Sequence, residues 1–245
     1  MTPRIHIENV SKRFDETLAL DDVSLSLDAG RALALIGPTA AGKTVLLKLV
    51  AGLYAPDGGR IEIDGAPLAP AHKARIGMLF QRNALFDGLP VWENIAFRLM
   101  VEGMPRARAR AEAETLLGRV GLPVSAATLY PAELSGGMQK RVGFARAIAT
   151  RPDILLLDNP TAGLDPVLAA HIDAVITETV RAYGATVISV TGNMAHLAEA
   201  YDDVAVLHKG VLRWHGSAAA TATDPDPWLR QLLSGSRDGP IRTAA

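Results

Sequence analysis

The chain has 245 residues, with 25 basic against 26 acidic side chains, a net charge of −1, and an apolar fraction of 49%. That length suits one α/β domain with a sizeable core, and the balanced charge gives no electrostatic reason to expect nucleic acid. The absence of cysteine excludes disulfides, thiolate catalysis and Cys-ligated metal, and fits a reducing compartment.

From the N-terminus, "RIHIENV" and "VSLSLDAG" alternate apolar and polar residues and predict half-buried strands, while "RALALIG" predicts a fully buried one. A helix is expected from Lys43 to about Gly52, stopped by the glycine. "GGRIEIDG" and "RIGMLF" read as short strands. Residues 105–120 read as a helix with Pro105 as its start signal. Ser135 is a candidate N-cap for a helix to about Thr150, with Met138, Val142, Ala145 and Ala149 on one side. "DILLLD" predicts a strand buried on both faces. A helix at 166–183, the strand "TVISVT" and a hairpin turning at Lys209-Gly210 follow. Beyond about Ala218 the pattern breaks until "PWLRQLL", a candidate amphipathic helix. Alternating strands and helices imply an α/β fold with a mainly parallel sheet, to which the early strands add an antiparallel layer.

No apolar run approaches the roughly 18–20 residues of a membrane span. "MTPRIHIENV" lacks the basic-then-apolar layout of a signal peptide. The expected location is cytoplasmic, with any membrane role carried by a partner. His171, His196, His208 and His215 are scattered singly and form no metal-site pattern.

The first chemical signal is "LALIGPTAAGKT". Gly37, Gly42, Lys43 and Thr44 satisfy G-x-x-x-x-G-K-[ST] after a predicted strand and before a predicted helix. Backbone N–H groups and a helix N-terminus there cradle a polyphosphate. Lys43 adds a positive charge near the β/γ-phosphates, and Thr44 offers an oxygen to Mg²⁺. The second signal is "LSGGMQKRVGFARAI", in which Ser135, Gly136 and Gly137 open a helix with little side-chain bulk. One chain has no need of two γ-phosphate sites unless the second serves a neighbouring molecule.

With these motifs the chain resembles the ATP-binding-cassette family of transporter ATPases over residues 4–216, through "GPTAAGKT", Gln81 of "LFQRN", "LSGGMQ", "ILLLD" with Asp158, and "TAGLDP" with Asp165. The resemblance implies a P-loop NTPase core with a helical subdomain at about 84–150, within one ATPase domain of residues 1–220 followed by a tail at 221–245. It implies ATP and Mg²⁺ as cofactors. ATP contacts would come from Phe14, stacking on adenine, and from Gly37, Pro38, Thr39, Ala40, Ala41, Gly42, Lys43 and Thr44, with Ser135, Gly136 and Gly137 acting in trans across a head-to-tail dimer. Mg²⁺ would be held by Thr44, Gln81 and Asp158. The partner chain is a second copy or another cassette ATPase, and a membrane permease docks near 82–105 on the cytoplasmic face of the inner membrane. "GMLFQRNALFDGLPVWENIAFRL" and the tail "DPWLRQLLSGSRDGPI" are similar to the ATPase subunits of Mla-type, MCE-linked lipid transporters. Phe86, Leu89, Val91, Trp92 and Phe97 offer apolar surface to the permease or build the core; core packing is the expectation for Phe97. In that family the tail reaches a neighbouring subunit.

Two positions depart from the family. Its glutamate after the strand aspartate, which polarises the attacking water, is Asn159 here, and the histidine that reaches the γ-phosphate is Gly192. An amide is a very poor base. Ala40 and Val45 also replace a usual glycine and hydroxyl residue; both are expected to be tolerated. Binding is therefore expected to survive and hydrolysis to be weak or absent. Two classes stay open: an ATPase subunit with slow or partner-rescued turnover, and a regulatory or structural nucleotide-binding subunit.

Overall fold

A computed structural model describes residues 2–194 and 197–241, the side chains at 180 and 181 excepted; His196 lies outside them. The chain divides into two compact units, Met1–Lys73 with Thr186–Ala245, and Ala74–Ala185.

The first unit contains an antiparallel sheet in the order β2-β1-β4-β5, from β1 (Ile5–Phe14), β2 (Thr17–Leu27), β4 (Gly58–Ile63) and β5 (Ala66–Pro67). Ile5 pairs with Leu27 on one side and Ile63 on the other, and Ile7 with Leu25 and Ile61. All six are buried, so the alternation seen in the sequence becomes one continuous apolar face. The same unit holds β3 (Ala32–Ile36), parallel to both β8 (Thr186–Val190) and β9 (Asp203–His208). Every residue of β3 and β8 is buried: β3 is an unbroken apolar run, and in β8 the hydroxyls of Thr186 and Ser189 accept hydrogen bonds from Gly30 N and the Tyr201 hydroxyl. β9 turns back into β10 (Val211–Ser217) through Lys209 at φ 48 and Gly210 at φ 79, the left-handed pair that a two-residue hairpin needs. The unit is completed by α1 (Lys43–Val50), the short α6 (Leu197–Ala200) and α7 (Pro227–Ser234).

In the second unit β6 (Ile76–Leu79) runs parallel to β7 (Ile154–Asp158), in register from Ile76↔Ile154 to Leu79↔Leu157. Around them lie α2 (Val91–Val101), α3 (Arg106–Arg119), α4 (Gly136–Ile148) and α5 (Pro166–Tyr183). Gly77 lets α4 approach β6: a Cβ there would lie 2.1 Å from the carbonyl oxygen of Ala147. α4 is buried from Lys140 to Ala145, polar residues included, whereas of the expected face, Met138, Val142, Ala145 and Ala149, only Val142 and Ala145 are buried. Its neighbours in this unit cover more than one side of it.

α2 is not among the elements expected from the sequence. Its lead-in is held by the buried Asn94, whose Oδ1 accepts from Phe86 N (2.7 Å) and whose Nδ2 donates to the carbonyls of Phe86 (3.0 Å) and Leu89 (2.8 Å). The expectation that Phe97 is core is incorrect. Phe97 is 40% exposed and meets Phe86, itself 44% exposed, at 4.7 Å between ring centroids. The fold buries the other side of α2 instead, at Val91, Trp92, Ile95 and Leu99. Among the described residues no helix is long and apolar enough to cross a membrane.

Candidate nucleotide site

β3 delivers the chain to Gly37, whose φ of 147 brings the backbone against β9: a Cβ there would lie 2.0 Å from the Leu207 carbonyl oxygen. The loop then turns through Ala40, left-handed at φ 60, and Gly42, at φ 101, into α1. No side chain caps α1, and its first turn carries no acidic residue, so its N-terminal partial charge faces the loop. Lys43 curls over this loop, donating from Nζ to the carbonyls of Gly37 (2.7 Å) and Pro38 (2.6 Å). The result is a glycine-lined nest of main-chain donors with one cation beside it. Thr39 and Ala40 are exposed and Thr44 half-buried.

Phe14, at the end of β1, is 38% exposed. Tyr54 meets it edge-on at 5.2 Å and Lys12 Nζ lies 5.4 Å from its centroid. An aromatic face left in solvent at a strand end is a platform rather than a core residue. Gly192 follows β8 on exposed backbone, and a Cβ built on it meets none of the described residues within 4 Å.

The remaining expected site residues belong to the second unit. Gln81 is exposed just after β6. Two residues on, Asn83 and Ala84 are both left-handed (φ 59 and 50), held by Arg146 of α4, which donates to their carbonyls at 2.7 Å each. Burial lowers the pKa of this guanidinium. Ser135 caps α4, its Oγ accepting from Met138 N at 3.3 Å. A Cβ on Gly136 meets nothing within 4 Å; on Gly137 it reaches Leu164 at 3.1 Å.

Asp158 ends β7 and is 1% exposed. Asn159 follows at φ 54, with Nδ2 3.3 Å from Asp158 Oδ1. Asparagine is among the few side chains at ease in that conformation. Lys140 of α4, buried, donates to the carbonyls of Asn159 (3.0 Å) and Ala162 (2.6 Å). Burial lowers its pKa, opposed by the charge of Asp158. Asp165 caps α5, its Oδ1 accepting from Val167 N and Leu168 N at 3.0 Å. Lys140 and Arg146 escaped the sequence reading, because a lysine or arginine on a helix ordinarily signals a solvated face. The one clue was the run of small and apolar residues around them.

Residues 20–162 match the model of the ABC transporter family, and the chain belongs to that family. The solved structure of an ATP-binding cassette in a dimeric post-hydrolysis state, bound to ADP and Pi, is similar with a TM-score of 0.82 and 28% identity, covering 87% of this chain and 98% of that one. The chain is 35% identical over 245 residues to the intermembrane phospholipid transport system ATP-binding protein MlaF of Escherichia coli (strain K12), covering 97% of this chain and 91% of that relative. It is 39% identical over 219 residues to the spermidine/putrescine import ATP-binding protein PotA of Protochlamydia amoebophila, covering 89% of this chain but spanning only 58% of that relative.

Proposed function

We propose that the chain binds Mg-ATP as the nucleotide-binding subunit of a membrane transporter for phospholipid or a related lipid, and that it hydrolyses ATP slowly unless a partner completes its chemistry. The observation carrying this reading is the loop Gly37–Thr44, with its nest of main-chain donors, its uncapped helix and Lys43 in place. When ATP binds, phosphate oxygens take the place of the two carbonyls that Lys43 now holds. Phe14 offers its exposed face to the base. Thr44, Gln81 and Asp158 are the proposed oxygen donors for Mg²⁺. No group of three or more His, Cys, Asp or Glu side chains among the described residues suits a metal.

Gly136 supports a role in trans. Neither φ nor packing demands glycine there, so the room it leaves serves something outside its own chain, in this reading the γ-phosphate on a partner cassette. The dimeric neighbour agrees with such an arrangement. Lipid as the cargo is supported by the 35% identity to MlaF over 97% of this chain and by the Mla-like stretches around Gln81 and in the tail. The groove of about 280 Å³ lined by Phe80, Ala84, Phe86, Phe97, Arg98 and Arg146 is the proposed permease seat.

Hydrolysis needs a group that takes a proton from the attacking water. The Asn159 carboxamide has no basic site near neutral pH, and Gly192 offers no side chain. A general base typically contributes about 10²–10⁴ in rate, so turnover well below the usual range of about 1–10³ s⁻¹ is expected. The second reading is a regulatory subunit whose dimer closes on ATP without reopening by hydrolysis. Steady-state ATP hydrolysis by the chain, alone, with its permease and with a partner cassette, separates the two. Turnover appearing only with a partner cassette supports the first, and none under any condition supports the second.

A further inference from the structure

The C-terminal segment after β10 has no part in the site described above, yet it is firmly built into the first unit. Asp226 caps α7, its Oδ1 accepting from Trp228 N and Leu229 N at 3.0 Å. Leu229 is fully buried. Gln231, also buried, closes a two-bond amide clamp on the chain ten residues ahead. Its Oε1 accepts from Ile241 N at 2.7 Å, and its Nε2 donates to Ile241 O at 2.9 Å. A surface appendage needs none of this.

Trp228 shows where the segment bears. Its ring lies 4.6 Å from that of His208, centroid to centroid, and the Arg213 guanidinium lies 5.1 Å from its centroid. His208 is the last residue of β9, 7% exposed, with a buried Nδ1 that has no hydrogen-bond partner among the described residues. Trp228 therefore covers a ring whose polar atom finds no compensation, and that ring stands at the base of the Lys209-Gly210 turn.

This turn touches the phosphate loop directly. Gly210 N donates to Ala41 O at 3.0 Å, and Gly210 O accepts from Asp21 N at 2.9 Å. The Leu207 carbonyl, one residue before His208, is the group that leaves no space for a Cβ at Gly37. The Trp228–His208 ring contact joins α7 to the strand end, and main-chain contacts continue from there through the turn to the phosphate nest. We propose that α7 is a positioning element for the phosphate loop, with Trp228 and His208 as positioning residues that act on it through the Lys209-Gly210 turn. The inference rests on the reading that ATP binds at that loop. The tail then sets nucleotide affinity within its own chain, whatever it touches beyond.

A coupling of this kind is reciprocal: losing the ring contact weakens ATP, and ATP steadies α7. The test measures Mg-ATP affinity by calorimetry on the full chain, on Trp228→Ala and on Trp228→Phe, each checked for folding by circular dichroism. Trp228→Ala is expected to bind about three- to tenfold more weakly, with rescue by Trp228→Phe, which keeps an aromatic face on His208. A second measurement needs no altered chain. Amide exchange of residues 227–234 is expected to slow on adding Mg-ATP, and Lys43→Ala is expected to abolish that effect. If Trp228→Ala binds as tightly as the unmodified chain, or if exchange in α7 ignores ATP, the inference fails while the nucleotide site stands. If the unmodified chain binds no ATP, the nucleotide reading itself has failed.

Discussion

The phosphate loop and the turn after β7 are both tight, partly left-handed stretches of backbone at the end of a fully buried strand, and they differ in what they offer. The loop presents main-chain donors, an uncapped helix and a lysine already folded over it. The turn keeps its aspartate and is pinned by the buried Lys140. At the next position, though, it carries an amide that suits the φ of 54 and cannot act as a base. On the proposed reading, the groups that bind nucleotide are separable in this chain from those that would transfer a proton.

Restoring the missing groups is the strongest way to break this contrast. Asn159→Glu with Gly192→His is expected to raise ATP turnover by about 10²–10⁴, read as phosphate release. Gly192 has room for the side chain. Glutamate at 159 must adopt a left-handed backbone beside Asp158, which is expected to lower stability by about 1–2 kcal/mol. Lys43→Ala attacks the other region: losing a charged donor should weaken Mg-ATP by about 10- to 100-fold, read by calorimetry, with folding intact. Gly136→Asp sharpens the claim in trans. Open space around it predicts a change in melting stability within about 0.5 kcal/mol, while ATP-driven dimerisation, followed by light scattering, is lost.

Ala40→Gly probes the loop's own strain. Ala40 sits at φ 60, where a glycine is free of Cβ conflict, so the exchange is expected to stabilise the fold by about 0.5–1 kcal/mol in urea unfolding. The smallest effect concerns acid. Burial, with Lys209 and Arg213, lowers the pKa of His208, and burial with Arg31 lowers that of His215 against the opposing Asp203. A histidine whose folded pKa lies below its unfolded value of about 6.5 supports the fold above that pH and loses the contribution on acidification. Melting temperature should therefore fall from pH 7 towards pH 5, and less steeply in His208→Phe.

Elements with a clean local signal were legible in the sequence. The buried runs of β3, β7 and β8 were, as were the helix of 166–183, the Ser135 cap and the Lys209-Gly210 turn, because alternation, capping and turn chemistry are all short-range. The phosphate loop could be read because its glycine and lysine spacing is a local signature, although the groups that leave no space for a Cβ at Gly37 and Gly42, the Leu207 and Ala19 carbonyls, are distant in sequence. Less legible was whatever depends on long-range burial. Asn94, Lys140 and Arg146 are polar residues whose partners are main-chain carbonyls and amides elsewhere in the unit, and no local pattern announces such partners. Phe97 failed in the opposite sense. An aromatic in an apolar stretch suggests core, and only the packing of α2 decides which of its sides faces inward. Asn159 gained a second meaning: it is an amide where the resemblance implies a glutamate, and it is a residue fitted to its left-handed turn.

Binding and turnover measured on one sample of the unmodified chain test the separation of the two most directly. The expected result is saturable Mg-ATP binding, with hydrolysis below about 10⁻¹ s⁻¹. Turnover of the isolated chain near an ordinary rate of about 10 s⁻¹ would contradict it.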